Sequence, residues 1–120
     1  MEEITGMGAR AIGVVCDVTQ HDRIPEVVAE VTRLLGPVDI LVNNAHDTRD
    51  IHRTVDQLTP ASVAAQMDCG PIASLAFMQA CRPGMSGRGG RIINVGSAAG
   101  VTAHEGLRRL RKWLRRRSAL

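Results

Sequence analysis

Three short apolar runs rich in β-branched residues punctuate this chain, and the spacing between them constrains the fold more than any other feature. They are residues 11–16 (Ala-Ile-Gly-Val-Val-Cys), 38–42 (Val-Asp-Ile-Leu-Val) and 91–95 (Arg-Ile-Ile-Asn-Val), each of single-strand length. Near-continuous apolar character suits strands buried on both faces, as in a parallel sheet. Between the first two runs, Ile24, Val27, Val28, Val31, Leu34 and Leu35 recur at helical spacing, with Glu26, Glu30 and Arg33 on the opposite face. Thr19 and Asp22 are candidate caps for that helix, Pro25 falls in its first turn, and Gly36-Pro37 ends it. Between the second and third runs, Thr59-Pro60 pairs an N-cap with a first-turn proline, and Val63 and Met67 supply an apolar side. Gly70-Pro71 is expected to kink or break that helix, with a second helical run over 72–81 stopped by Arg82-Pro83-Gly84. Residues 86–90 read as a loop. Strand, helix, strand, helix, strand is the order of an α/β domain with a parallel sheet.

Composition removes several alternatives. With 44% hydrophobic and 22% charged residues the chain reads as globular, and no apolar run approaches the roughly 18 residues needed to span a bilayer. Cys16, Cys69 and Cys81 are odd in number and far apart, which points to reduced, buried thiols in a cytoplasmic protein rather than a disulfide framework. They lack zinc-ligand spacing, and His21, His46, His52 and His104 are scattered over polar stretches, so no metal site is expected. The net charge of +3 conceals a division: all 12 acidic residues lie within 1–106, whereas 107–120 carry seven arginines and lysines and no acid. The body is mildly acidic and shows no nucleic-acid-binding pattern.

In an open parallel sheet, ligands bind beyond the carboxyl ends of the strands, where the loops diverge. Asp17 and Asn43 each follow a predicted strand directly and Ser97 closely, so all three are expected along one edge. Each also has a purely structural use. Asp17 can cap a turn, Asn43-Asn44 can satisfy strand-end backbone groups, and Ser97 sits in a Gly-Ser-Ala-Ala-Gly turn. The order of the motifs weighs toward a site. Asp17-Val18-Thr19 closing a strand, then Gly36-Pro37-Val38-Asp39-Ile40-Leu41-Val42-Asn43-Asn44-Ala45, then Gly90-Arg91-Ile92-Ile93-Asn94-Val95-Gly96-Ser97, resembles the middle of the short-chain dehydrogenase/reductases over residues 1–106.

The resemblance implies a partial Rossmann-type doubly wound parallel sheet, and hydride transfer between NAD or NADP and a small carbonyl or alcohol substrate. By the same resemblance, Asp17 accepts a hydrogen bond from the adenine amino group, with Val18 offering its backbone. Asn43, Asn44 and Ala45 line the cofactor groove and tie adjacent strands, and Ser97 holds the substrate oxygen beside a tyrosine whose pKa a lysine depresses. Thr48-Arg49-Asp50 is similar to the 3-oxoacyl carrier-protein reductases. Oligomers are common in the family.

Departures from the pattern matter as much. The chain has no tyrosine and its one lysine is Lys112; where a Tyr-x-x-x-Lys pair is expected stand Leu110 and Leu114. His46 replaces the usual glycine after Asn-Asn-Ala, and Gly70 falls where the family has an active-site asparagine. Gly6 and Gly8 precede a strand and do not make the phosphate-cradling turn. The expectation is an incomplete or inactive copy.

The three strands correspond to the third, fourth and fifth of the family's 3-2-1-4-5-6 order. That leaves a gap between 11–16 and 38–42, for which direct pairing of those two strands and poor stability in solution are expected. Residues 107–120 form a basic tail foreign to the family, with Leu107, Leu110 and Trp113 or Leu114 at helical spacing. It reads either as a cationic amphipathic helix for an anionic membrane or nucleic acid, or as the product of a reading-frame slip. The rival to an oxidoreductase is therefore a non-catalytic α/β remnant binding an acidic partner through that helix.

Overall fold

The computed structural model describes residues 4, 6–48 and 54–97. The basic tail, and Arg49 and Asp50 of the Thr-Arg-Asp motif, lie outside them. A 3₁₀ turn at His21–Arg23 leads directly into helix α1, Ile24–Leu35. Pro25 sits in the first turn of α1, where no intrahelical donor is lost. The helix ends at Gly36, whose φ of 99° suits a residue without a Cβ. Neither Thr19 nor Asp22 caps α1 through its side chain; the preceding 3₁₀ turn presets the helical path instead, and Thr19 is bonded to Asp17.

Strand β1, Ile40–Asn43, follows, and after it helix α2, Pro60–Met67. Thr59 caps α2 as its sequence indicates: its Oγ1 accepts from the Ser62 amide, and Ser62 Oγ accepts from the Thr59 amide. At Gly70-Pro71 the α-helix is interrupted, although the chain stays in helical backbone. A π-helical turn at Asp68–Ile72 absorbs the proline and passes the chain into helix α3, Ala73–Met85. Wider i→i+5 bonding accommodates a residue without an N–H, and such turns mark functional segments. Arg82-Pro83-Gly84 does not stop α3 either, which runs on to Met85. Pro83 has no N–H to donate to the Gln79 carbonyl, and both residues are exposed, so the lost bond falls on the solvent side of the helix.

Strand β2, Arg91–Asn94, pairs in parallel with β1 in the register Ile40↔Arg91, Leu41↔Ile92, Val42↔Ile93 and Asn43↔Asn94. Helix α3 packs on one face of this pair and α1 packs against α3. The most buried apolar residues are Ile24, Cys69, Ala73, Cys81 and Met85, so the core lies between the two helices and under the π turn.

Residues 11–16 form no strand, and among the described residues the sheet has two strands rather than three. The expected direct pairing with β1 is thus overturned. Helix α1 lies beside α3, and Arg10 Nη2 donates to the Leu34 carbonyl at 2.9 Å, which holds the run at the end of α1. Without a neighbouring ladder the run gains no inter-strand bonds. Val15 is fully exposed as a result.

Candidate functional site

The carboxyl end of β1 opens onto a cavity of about 180 Å³. Four segments wall it: Val18 from the turn before α1; Leu41, Val42, Asn43, Asn44 and Ala45 from β1 and its loop; Cys69 from the π turn; and Ala73, Ser74 and Phe77 from α3. The strand pleat turns Leu41 and Asn43 toward α3, and the loop then carries Asn44 and Ala45 across the mouth. The lining is apolar with a few amides and a hydroxyl, the character of a small-ligand pocket.

Of the six residues singled out from sequence, four meet here: Val18, Asn43, Asn44 and Ala45. Asn43 does more than line the wall. Its Nδ2 donates to Asn94 Oδ1 at 2.8 Å, a side-chain bridge joining the ends of β1 and β2. Asp17 stands next to the cavity, outside its lining. Its Oδ1 accepts from both the amide (3.0 Å) and the hydroxyl (2.8 Å) of Thr19, forming an Asx turn. Those bonds, the hydroxyl's first, hold the Asp17 carboxyl below the ordinary aspartate range. Ser97 is exposed, in the segment leaving β2, and is not among the residues around the cavity.

Other members were not singled out from sequence. Asn94 lies at the same register as Asn43, and that coincidence of two asparagines at strand ends is the signal that finds it. Cys69, Ala73, Ser74 and Phe77 are brought in by the π turn, which no periodicity announces. Two longer ties brace the walls. Gln66 Nε2 donates to the Asp47 carbonyl at 3.0 Å, and His21 Nε2 lies 3.0 Å from the Asp68 carbonyl. Among the described residues no group of histidines, cysteines and carboxylates is arranged to hold a metal, and no helix is long and apolar enough to cross a membrane.

A parallel strand pair backed by a helix, with a cavity at its carboxyl end, is one part of a nucleotide-binding α/β fold of the Rossmann kind. The chain belongs to the short-chain dehydrogenases, whose family model matches residues 1–108. Among curated relatives it is 35% identical over 97 residues to a fatty acyl-CoA reductase of Mycobacterium tuberculosis, covering 78% of this chain and 32% of that protein. It is 34% identical over 102 residues to the 3-oxoacyl-acyl-carrier-protein reductase of Escherichia coli, covering 83% and 41%. A short-chain dehydrogenase of Burkholderia cenocepacia, solved in complex with NADP, superposes with a TM-score of 0.76 at 30% identity, over 86% of this chain and 41% of that one. The chain therefore spans about a third to two fifths of the length of the curated relatives it matches.

Proposed function

We propose that this chain carries the adenosine-gripping part of an NAD(P)-dependent oxidoreductase acting on a small carbonyl or alcohol, and that these 120 residues alone bind nucleotide without turning it over. The observation that carries the reading is the cavity at the carboxyl end of β1, with Val18, Asn43, Asn44 and Ala45 in its wall. Its volume, about 180 Å³, falls below the roughly 300 Å³ at which whole-ligand pockets begin. It therefore suits the adenosine end of a dinucleotide and not the whole.

In this reading the Asp17–Thr19 turn is a preformed acceptor. The two Thr19 bonds fix Oδ1 and keep the carboxylate ionised, and Oδ2 then accepts from an adenine amino group. Val18 supplies backbone beside the ring, while Asn43 and Asn44 meet the ribose with their amides. The Asn43–Asn94 bridge keeps the wall in register with β2, the strand that leads to Ser97. Ser97 orients a substrate oxygen by its hydroxyl. The bound nicotinamide would supply or accept the hydride. The proton needs another source, because the chain holds no tyrosine and places Leu110 and Leu114 where the family's Tyr-x-x-x-Lys pair is expected.

The test is a titration of the isotope-labelled chain with ADP and with NADP⁺, followed by amide chemical shifts. Saturable shifts confined to 17–19 and 43–45, with both ligands equally effective and no NADPH consumed with a ketone, are expected. Absence of any shift at those residues up to millimolar ADP overturns the nucleotide reading. Steady NADPH oxidation by the pure chain overturns the claim that it lacks turnover.

A further inference from the structure

We infer that His21 is a positioning residue that sets the width of the nucleotide cavity, an inference that rests on the function proposed above. The imidazole lies in the 3₁₀ turn just after Val18, and its Nε2 donates across 47 residues of sequence to the carbonyl of Asp68. Asp68 is the first residue of the π turn, and Cys69, the next residue, is buried and lines the same cavity as Val18. The contact thus joins two walls that the backbone does not otherwise connect.

The Asp68 carbonyl is suited to this double duty. In the π turn it also accepts from the amide of Ala73, another residue of the lining, so one oxygen gathers His21 and the start of α3. A carbonyl has two lone pairs and accommodates both donors. The third wall is tied to the same stretch of helix: Gln66, two residues before Asp68, holds the Asp47 carbonyl in the loop that follows Asn44 and Ala45. Two of the four wall segments are thus tied to residues 66–73, a stretch that itself carries Cys69 and opens into α3. His21 is the one tie from the Asp17–Thr19 side to that stretch among the described side-chain bonds.

The experiment compares His21→Ala and His21→Gln in the full chain, reading ADP affinity and site-resolved amide exchange. Gln is chosen because its amide offers a donor of similar reach. Loss of one hydrogen bond that orders a binding wall is expected to weaken ADP about two- to tenfold in His21→Ala. Exchange is expected to quicken together at 17–19 and 68–73, and His21→Gln to restore both. Unchanged affinity and exchange at 68–73 in His21→Ala overturn the inference, since a merely local role would loosen only the 3₁₀ turn. If His21→Ala does not fold, His21→Gln decides: near-native ADP affinity supports the latch, and a folded variant with tenfold weaker binding overturns it. A wild-type chain that binds no ADP, with exchange still coupled between the two segments, fails the proposed function and leaves the latch standing.

Discussion

The face of the sheet turned away from α3 offers the sharpest physical test of this fold. Along β1, exposure alternates, and Ile40 and Val42 are 61% and 53% exposed, with Ile93 opposite Val42 at 49%. From sequence these are core residues; in the structure about half of each is in water. Full burial of a Val or Ile side chain contributes about 1.5–3 kcal/mol, so at half exposure about 1 kcal/mol remains. A Val42→Thr or Ile93→Thr variant keeps the β-branched shape and loses part of that, about 0.5–1 kcal/mol. At a urea m value of about 1–1.5 kcal/mol/M, the midpoint should fall by roughly 0.5 M, followed by far-UV circular dichroism. Sedimentation velocity should show less self-association, because an open apolar face beside unpaired strand edges is a docking surface for other copies. If the face were covered, each threonine would bury a hydroxyl without a partner, costing a further ~1–3 kcal/mol. A midpoint drop several times larger, with sedimentation unchanged, would refute the open-face geometry.

Other perturbations follow from single contacts. A Cβ at Gly90 would lie 2.7 Å from both Cβ and Cγ of the buried Met85, so Gly90→Ala should destabilise by about 1–3 kcal/mol in chemical unfolding. At Gly70 a Cβ would meet nothing within 4 Å and φ is not positive, so Gly70→Ala should stabilise the helical passage by about 0.5–1 kcal/mol. Cys81 is buried and its thiol pKa is raised by desolvation, so maleimide should label the half-buried Cys16 first, with Cys69 and Cys81 reacting on unfolding; rapid native labelling of Cys81 would contradict the α1–α3 packing. The Asp17 carboxyl is held below its ordinary value by Thr19, so its turn contributes stability above the ordinary aspartate pKa that disappears as pH falls through the lowered one. Carboxyl carbon shifts should show Thr19→Val moving that titration upward, and no movement would mean Thr19 is not the cause.

What the sequence made legible divides by the range of the interaction. Helix α1 could be read because its periodic apolar stripe and its Gly36 terminator are local, and Thr59 could be read because a capping bond spans three residues. Asn43, Asn44 and Ala45 could be read because they stand at the end of β1 and just beyond it, whereas Val18 lines the cavity from a turn that follows no strand. The run at 11–16 could not: its composition states a preference for extended backbone, but a strand exists only where a neighbour offers a ladder, and the structure offers none. Pro71 and Pro83 illustrate the same point. Each forbids one hydrogen bond, and whether the helix ends depends on what else satisfies the freed carbonyl. The π turn rearranges the bonding around Pro71, and at Pro83 the lost bond falls on the solvent side of the helix. His21 bonds to a partner 47 residues away, a distance over which no motif carries information, and Asn94, 51 residues from Asn43, is signalled only by the matching asparagines at two strand ends.

The departures from the family pattern are distributed unevenly, and the structure sharpens the unevenness. Asp17, Val18, Asn43, Asn44 and Ala45, which by resemblance grip the adenosine end, keep the family's residue types, and all but Asp17 line one cavity. His46 departs on that side, yet it is exposed and outside the lining. On the reacting side the departures fall on chemistry itself: no tyrosine, leucines at 110 and 114, and glycine at 70. Crowding at the Cβ does not explain Gly70, since a Cβ there would meet nothing within 4 Å, and neither does backbone strain, since its φ is not positive. Geometry therefore does not require a glycine at 70, the position where the family resemblance implies an asparagine. Nucleotide binding and turnover are decided by separate assays, ADP titration for the cavity wall and NADPH oxidation for the chemistry.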